Sequence, residues 1–135
     1  MKVFTLQWKW LLMLPLHFSF SLCLAQAGHG IDAKCPCDYP PMQFKKDSVK
    51  LSADHKMMLE SIANNLRHNP LGILVITMHT DISKHGQTRC GERIAAIKKY
   101  MMEREGISGD RVVGVCDAST GAYNTADMEC SIRGD

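Results

Sequence analysis

An excess of charge of either sign is the first thing missing: 16 lysines and arginines stand against 14 aspartates and glutamates. Lys2 and Lys9 fall in a segment that reads as removed on export, and without them the two signs balance. A chain with no basic surplus makes no electrostatic case for nucleic acid or an anionic membrane surface as its partner. A long apolar run is also missing. The uncharged stretch from Trp10 to Leu24 is short and is interrupted by Pro15, His17 and serines, which argues against a membrane-spanning helix. No second close pair of cysteines answers Cys35-Pro36-Cys37, and structural zinc sites commonly need two pairs at matching spacing. Length is short too, which excludes a multi-domain enzyme and leaves one domain with one core.

What is present begins with a secretory pattern. Two lysines precede the uncharged stretch, and Ala25-Gln26-Ala27 supplies the small-x-small sequence that a signal peptidase accepts. Residues 1–27 therefore read as a signal peptide, with Gly28 as the mature N-terminus and about 108 residues after it. Lipid attachment at Cys23 is the weaker alternative, because Leu22 stands where a lipoprotein signal wants a small residue.

Export permits disulfides, and five cysteines follow the signal: Cys35, Cys37, Cys90, Cys116 and Cys130. The odd number leaves one over unless another chain supplies a partner. Cys35 and Cys37 read as ends of disulfides to the body of the domain. Cys116 and Cys130 can tie the last strand to its neighbour across about 14 residues, worth roughly 3 kcal/mol in the chain-entropy account, or can be two buried small hydrophobes. Cys90 can pair with Cys35 or Cys37; the connectivity itself is not written in the sequence.

Along the chain, residues 28–41 are rich in Gly, Pro and Cys and read as an N-terminal arm, with the folded domain at 42–135. Met42 to Lys46 offers a short strand. Ser52 caps a helix with Asp54 in its first turn, Leu59, Ile62, Ala63 and Leu66 make one apolar stripe, and Asn69-Pro70 stops it. Ile73 to Thr77 has no alternation and reads as a central strand covered on both faces. Ile82 to Thr88 reads as a loop. A second helix follows with Cys90, Ile94, Ile97 and Met101 on one face, closed by Gly106 in the left-handed conformation. Arg111 to Cys116 is a further strand, 117–127 a long loop, and Met128 to Arg133 a short final strand. The order β-α-β-α-β-β predicts an α/β sandwich, two helices packed on a small mixed sheet.

The stretch from Leu59 to Cys116 resembles the OmpA-like domain, a peptidoglycan-associating module of bacterial envelope proteins. The resemblance is carried by the helix ending in Asn69-Pro70, by Ile73-Leu-Val-Ile-Thr running into His79-Thr80-Asp81, by Glu92-Arg93-Ile-Ala-Ala-Ile-Lys-Lys-Tyr100-Met101, and by Gly106-Ile107 before Asp110-Arg111-Val112. It implies non-covalent binding of peptidoglycan through the diaminopimelate of the wall peptide, without catalysis and without a cofactor. The ligand-binding residues it implies are Asp81, Arg93 and Thr80, the acid for an ammonium and the guanidinium for a carboxylate. It also implies a place in the periplasm or at the outer membrane, with peptidoglycan and envelope proteins as partners. Met78 stands where the family usually has glycine, and the segment between Asp81 and Arg93 is about three residues shorter than the family's.

Plainer readings stand beside these. Asp81 can cap its own turn and Arg93 can be a surface helix residue. His79, Asp81 and His85 have the chemistry of a zinc site, but local packing accounts for them more simply, so no metal is expected. Cys90 near a helix N-terminus lacks the accompanying groups of a nucleophile. The alternative to wall binding is the same fold without that ligand, acting as a disulfide-braced periplasmic protein-interaction module.

Overall fold

The computed structural model describes residues 39–118 and 123–133. The expected signal peptide, the arm up to residue 38, the Cys35-Pro36-Cys37 pair and the lipidation position Cys23 lie outside these described residues. Among the described residues no helix is long and apolar enough to cross a membrane.

The elements are β1 (Met42–Gln43), α1 (Ala53–His68), β2 (Gly72–His79), α2 (Lys84–Glu103), a 3-10 turn at Gly109–Arg111, β3 (Val112–Asp117) and β4 (Thr125–Ile132). The strands form one mixed sheet in the order β1-β4-β2-β3. β2 and β3 run parallel, with Leu74 opposite Val112 and His79 opposite Asp117. β4 runs antiparallel to both β2 and β1. The expected class is therefore correct: two helices on a small mixed sheet.

Both helices pack on one face of that sheet. Leu59, Ile62, Ala63 and Leu66 of α1 meet Cys90, Ile97 and Met101 of α2 over Leu74, Ile76 and Met78 of β2 in a single apolar cluster. The residues of β2 alternate between buried and half-buried, so the strand expected to be covered on both faces is covered fully on one. The run of apolar residues hid this alternation, because Ile73 and Val75 sit on the less covered face while being as apolar as their neighbours. On β3 the same face exposes Val113 and Val115.

Local chemistry sets the ends of the elements. α1 starts with a capping box in which His55 plays the part usually taken by Glu: Ser52 Oγ accepts from His55 N–H at 3.2 Å, and Ser52 N–H donates to His55 Nδ1 at 3.3 Å. Nδ1 accepts, so the proton belongs on Nε2, which lies 2.8 Å from the carbonyl oxygen of Gln43. The other end of α1 is closed by Arg111, which donates to the carbonyls of Leu66, Asn69 and Gly72 at 2.7 to 2.8 Å. A cation there adds a second donor to carbonyls that already accept from Asn69 N–H and Gly72 N–H, and meets the negative end of the helix dipole.

Four expectations need correction. The segment Ile82–Thr88 is a loop only at its start; α2 begins at Lys84, because Ser83 caps it by accepting from Gly86 N–H at 2.9 Å. β1 is two residues long, not five, since the chain turns at Lys45 to Ser48 with Asp47 at a positive φ of 57°. The last strand is not short: it starts at Thr125 rather than Met128, and it lies between β1 and β2. Finally, Cys116 is bonded to Cys90, with Cα atoms 6.0 Å apart, not to Cys130. Cys116 lies two strands from Cys130 across β2, since Met78 faces Cys116 on one side and Leu74 faces Cys130 on the other. The bond also removes Cys90 as a partner for Cys35 or Cys37 and as a nucleophile. Cys130 is disulfide-bonded as well, to a cysteine other than these two.

The Cys90–Cys116 bond closes a loop of 26 residues, for which the chain-entropy account gives about 3.5 kcal/mol. Digestion without reduction is expected to yield one peptide pair joining Cys90 to Cys116, and a Cys116–Cys130 pair would contradict the fold. The double variant Cys90→Ala with Cys116→Ala is expected to lose about 3 kcal/mol in chemical denaturation.

Candidate functional site

The candidate site forms where β2 ends and α2 begins. Thr80 N–H donates to the carbonyl of Asp117 at 2.9 Å, so the parallel ladder runs one residue past the strand and holds Thr80 buried. Asp81 is the next residue and is exposed. Its Oδ1 accepts from Ser83 N–H at 2.8 Å, and its carbonyl accepts from Gln87 Nε2 at 3.1 Å. Asp81 thus closes its own turn, the plainer of the two readings, while its carboxylate stays at the surface.

Gly86 in the first turn of α2 lies directly beneath this acid. A Cβ at that position would overlap Asp81 Oδ1 and stand 2.8 Å from Thr80 Oγ1. The strand end can lie on the helix only because residue 86 has no side chain. The carboxyl of Asp81 is held below its ordinary value, first by the Ser83 hydroxyl and then by the Ser83 backbone N–H. Its charge therefore persists as pH falls and is lost only when pH drops through that lowered value.

Arg93 comes two turns further along α2 and is 2% exposed. Its Nε donates to the Ser48 carbonyl at 2.8 Å, one terminal nitrogen to Asn124 Oδ1 at 2.9 Å, and the other to the Lys45 carbonyl at 3.1 Å. The guanidinium carbon lies 5.0 Å from the centre of the Phe44 ring. Burial, and then the like charge of Arg89, lower its pKa, which the opposite charge of Asp47 partly offsets. The resemblance assigned Asp81 to the ammonium and Arg93 to the carboxylate of one ligand, which does not require the two side chains to touch. Among the described residues no hydrogen bond or ion pair joins them, and each is occupied by other partners.

The residues that reasoning missed are those that surround Arg93. Asn124, at a positive φ of 68°, comes from the connection before β4, and Lys45 and Ser48 from the turn after β1. Their role is tertiary and leaves no periodic signal. Asn124 N–H also donates to the His79 carbonyl at 3.2 Å, which joins that connection to the end of β2. The proposed zinc ligands are dispersed: His79 Nε2 lies 2.8 Å from Asp127, His85 Nε2 lies 3.1 Å from Asp47, and Asp81 turns to Ser83. Among the described residues no group of His, Cys, Asp or Glu could hold a metal.

Two outcomes follow from this geometry. The Asp81 carboxyl is expected to titrate below the ordinary 3.8 when followed by its carboxyl carbon resonance, and Ser83→Ala should move the midpoint upward. Arg93→Ala takes the side-chain donor from the Ser48 carbonyl and Asn124 Oδ1 and leaves the Lys45 carbonyl only the Ser48 N–H, and is expected to cost about 2 to 3 kcal/mol in thermal or chemical unfolding. A melting curve unchanged by that variant would show that Arg93 does not hold the site together.

No protein-family model matches the sequence, and no curated protein matches it. Solved structures do match in shape. The peptidoglycan-associated lipoprotein from Burkholderia pseudomallei aligns over 67% of this chain and 89% of its own, at 17% identity and a TM-score of 0.57. The OmpA-like domain of FopA1 from Francisella tularensis subsp. tularensis SCHU S4 aligns over 70% of this chain and 74% of its own, at 14% identity and a TM-score of 0.50. With two helices on a small mixed sheet, the fold of this chain is that of the OmpA-like domains.

Proposed function

We propose that this chain is an exported, non-enzymatic cell-envelope domain that binds peptidoglycan non-covalently through its peptide stem. The observation that carries the reading is Asp81: an exposed carboxylate, held ionised by Ser83, at the carboxyl end of a central strand where α/β folds collect their ligands. An ammonium on the ligand meets that charge. Thr80 fixes the backbone beside it, and the N-terminal turn of α2 and the arginines further along the helix supply positive potential for a neighbouring carboxylate. The two structural neighbours are named for an association with peptidoglycan and for the OmpA-like domain, which favours this ligand over others of the same charge pattern. Such binding needs no bond to be made or broken, so no catalytic residue or cofactor enters. The proposed setting is the periplasm or the outer membrane, where the ligand is found and where disulfides persist.

A second reading, the same fold serving as a disulfide-braced protein-interaction module, draws on a different observation. Val113 and Val115 are 44% and 51% exposed on the less covered face of the sheet. Co-sedimentation with purified sacculi separates the two. The oxidised protein is expected to pellet with sacculi, and Asp81→Ala to reduce that binding about tenfold or more while leaving the melting temperature nearly unchanged. Failure of the native protein to pellet would leave the interaction module in possession.

A further inference from the structure

We infer that the edge of β4 beyond its short pairing with β1 is the docking strip of the chain's own N-terminal arm, residues 35–38, locked there by a disulfide between Cys37 and Cys130. The inference is independent of the wall-binding reading and gives the Cys35-Pro36-Cys37 motif a role.

Cys130 is disulfide-bonded, and Cys90 and Cys116 are bonded to each other, so its partner is one of the cysteines that precede Tyr39. Cys23 leaves with the signal peptide expected above, and Cys35 and Cys37 remain. The register of β1 decides which of these two reaches. Met42 stands opposite Ala126 and the strands are antiparallel, so the chain read backwards from Met42 runs beside β4 read forwards from Ala126. Cys130 is four residues past Ala126, about 13 Å along the strand. Cys37, five residues before Met42, falls about 17 Å along, and Cys35 about 23 Å. With neighbouring strands about 4.8 Å apart, Cys37 comes within about 6 Å of Cys130 and Cys35 only within about 11 Å, whereas a disulfide needs Cα atoms closer than about 7 Å. Forming the bond releases two electrons and two protons from the two thiols, which a disulfide-donating oxidant of the exported compartment takes up as two thiols of its own.

Two contacts give the direction in which the chain sets out. The Gln43 carbonyl lies 2.8 Å from His55 Nε2 in the first turn of α1, whereas the Tyr39 hydroxyl lies 3.4 Å from Ser61 Oγ, between one and two turns further along the helix. Tyr39 also packs against the core. The strip itself is vacant of strands: β4 pairs with β2 from Ala126 to Ile132, but with β1 only at Thr125 and Ala126, and among the described residues no other strand lies beside it. An open edge of that length invites pairing with another chain, which natural sheets prevent by covering it or by placing proline there. The segment that meets this edge carries Pro36, Pro40 and Pro41, and proline is confined in sheets to outermost strands because it donates no ladder hydrogen bond. The arm therefore covers β4 without offering a fresh edge of its own. Cys35 keeps a free thiol.

The test uses the oxidised exported protein, alkylated before digestion and mapped by mass spectrometry, with amide hydrogen exchange of β4 and thermal melting measured alongside. One alkylated cysteine, Cys35, and a peptide pair joining Cys37 to Cys130 are expected. Cys37→Ser is expected to lower the melting temperature by about 10 °C or more, and to speed exchange of the 127–131 amides about tenfold or more while those of β3 keep their protection. Cys35→Ser should match the native protein in both. Alkylation of Cys37 in the native protein, or a Cys35–Cys130 pair, overturns the assignment of the bond. If the pair is found but the β4 amides of Cys37→Ser exchange at the native rate, the arm does not dock on the edge and the proposal falls. The peptide map is made on the native protein, so it decides the bond even if Cys37→Ser does not fold.

Discussion

A buried guanidinium that, among the described residues, hydrogen-bonds to no carboxylate is the constraint on which the rest of this structure depends. Arg93 brings a positive charge out of water, and such a charge persists only where enough oriented acceptors replace the lost hydration. Two backbone carbonyls, one side-chain amide and the face of Phe44 do so. Those acceptors come from the turn after β1 and from the connection before β4, segments far apart in sequence and without regular structure of their own. One side chain on α2 therefore fixes both irregular segments against the helix, and through Asn124 it reaches the end of β2. The surface on which Asp81 stands is a by-product of that arrangement. Remove the charge and nothing apolar of the same shape satisfies three separate acceptors.

The sequence made the regular elements legible and hid what joins them. Leu59, Ile62, Ala63 and Leu66 repeat with helical spacing, and they are buried as that spacing demands. Asp81 could be placed at the end of β2 because an apolar run stops there. The start of α2 was obscured because Lys84 to Thr88 is polar throughout; the capping bond between Ser83 and Gly86 decides it instead. Arg93 shows the converse failure: a charge in a helix normally reads as exposed, and only its three partners, brought by tertiary folding, make it a core residue. Disulfide pairing was misread for a related reason. Cys116 and Cys130 flank a single loop, which favours their union in a chain without known topology, but β2 lies between their strands and Cys90 stands over β3.

Proximity to α2 also explains the glycines that matter. A side chain at Gly114 would collide with Ile94, so the middle of β3 approaches the helix as closely as Gly86 lets the end of β2 do. The helix is thus pressed against the sheet at two bare positions, and the Cys90–Cys116 bond links the same two elements. An acid site supported in this way is held by packing rather than by any ion pair within it, as the proposed binding of one small charged group in a fixed orientation requires.

The order β1-β4-β2-β3 carries a kinetic consequence. The strand that stands between the first two is the last to be synthesised, and β1 has no neighbour in the sheet among the described residues except β4. Closing the sheet thus means pairing Met42 with Ala126, a contact across most of the domain, and contacts of such separation slow folding because chain entropy is lost before they form. Until Thr125 to Ile132 arrives, β2 exposes a full edge of unpaired backbone beside an apolar face. A nascent chain of this design spends its early life as a two-stranded sheet with two helices, and becomes a domain only once β4 is free to enter between β1 and β2.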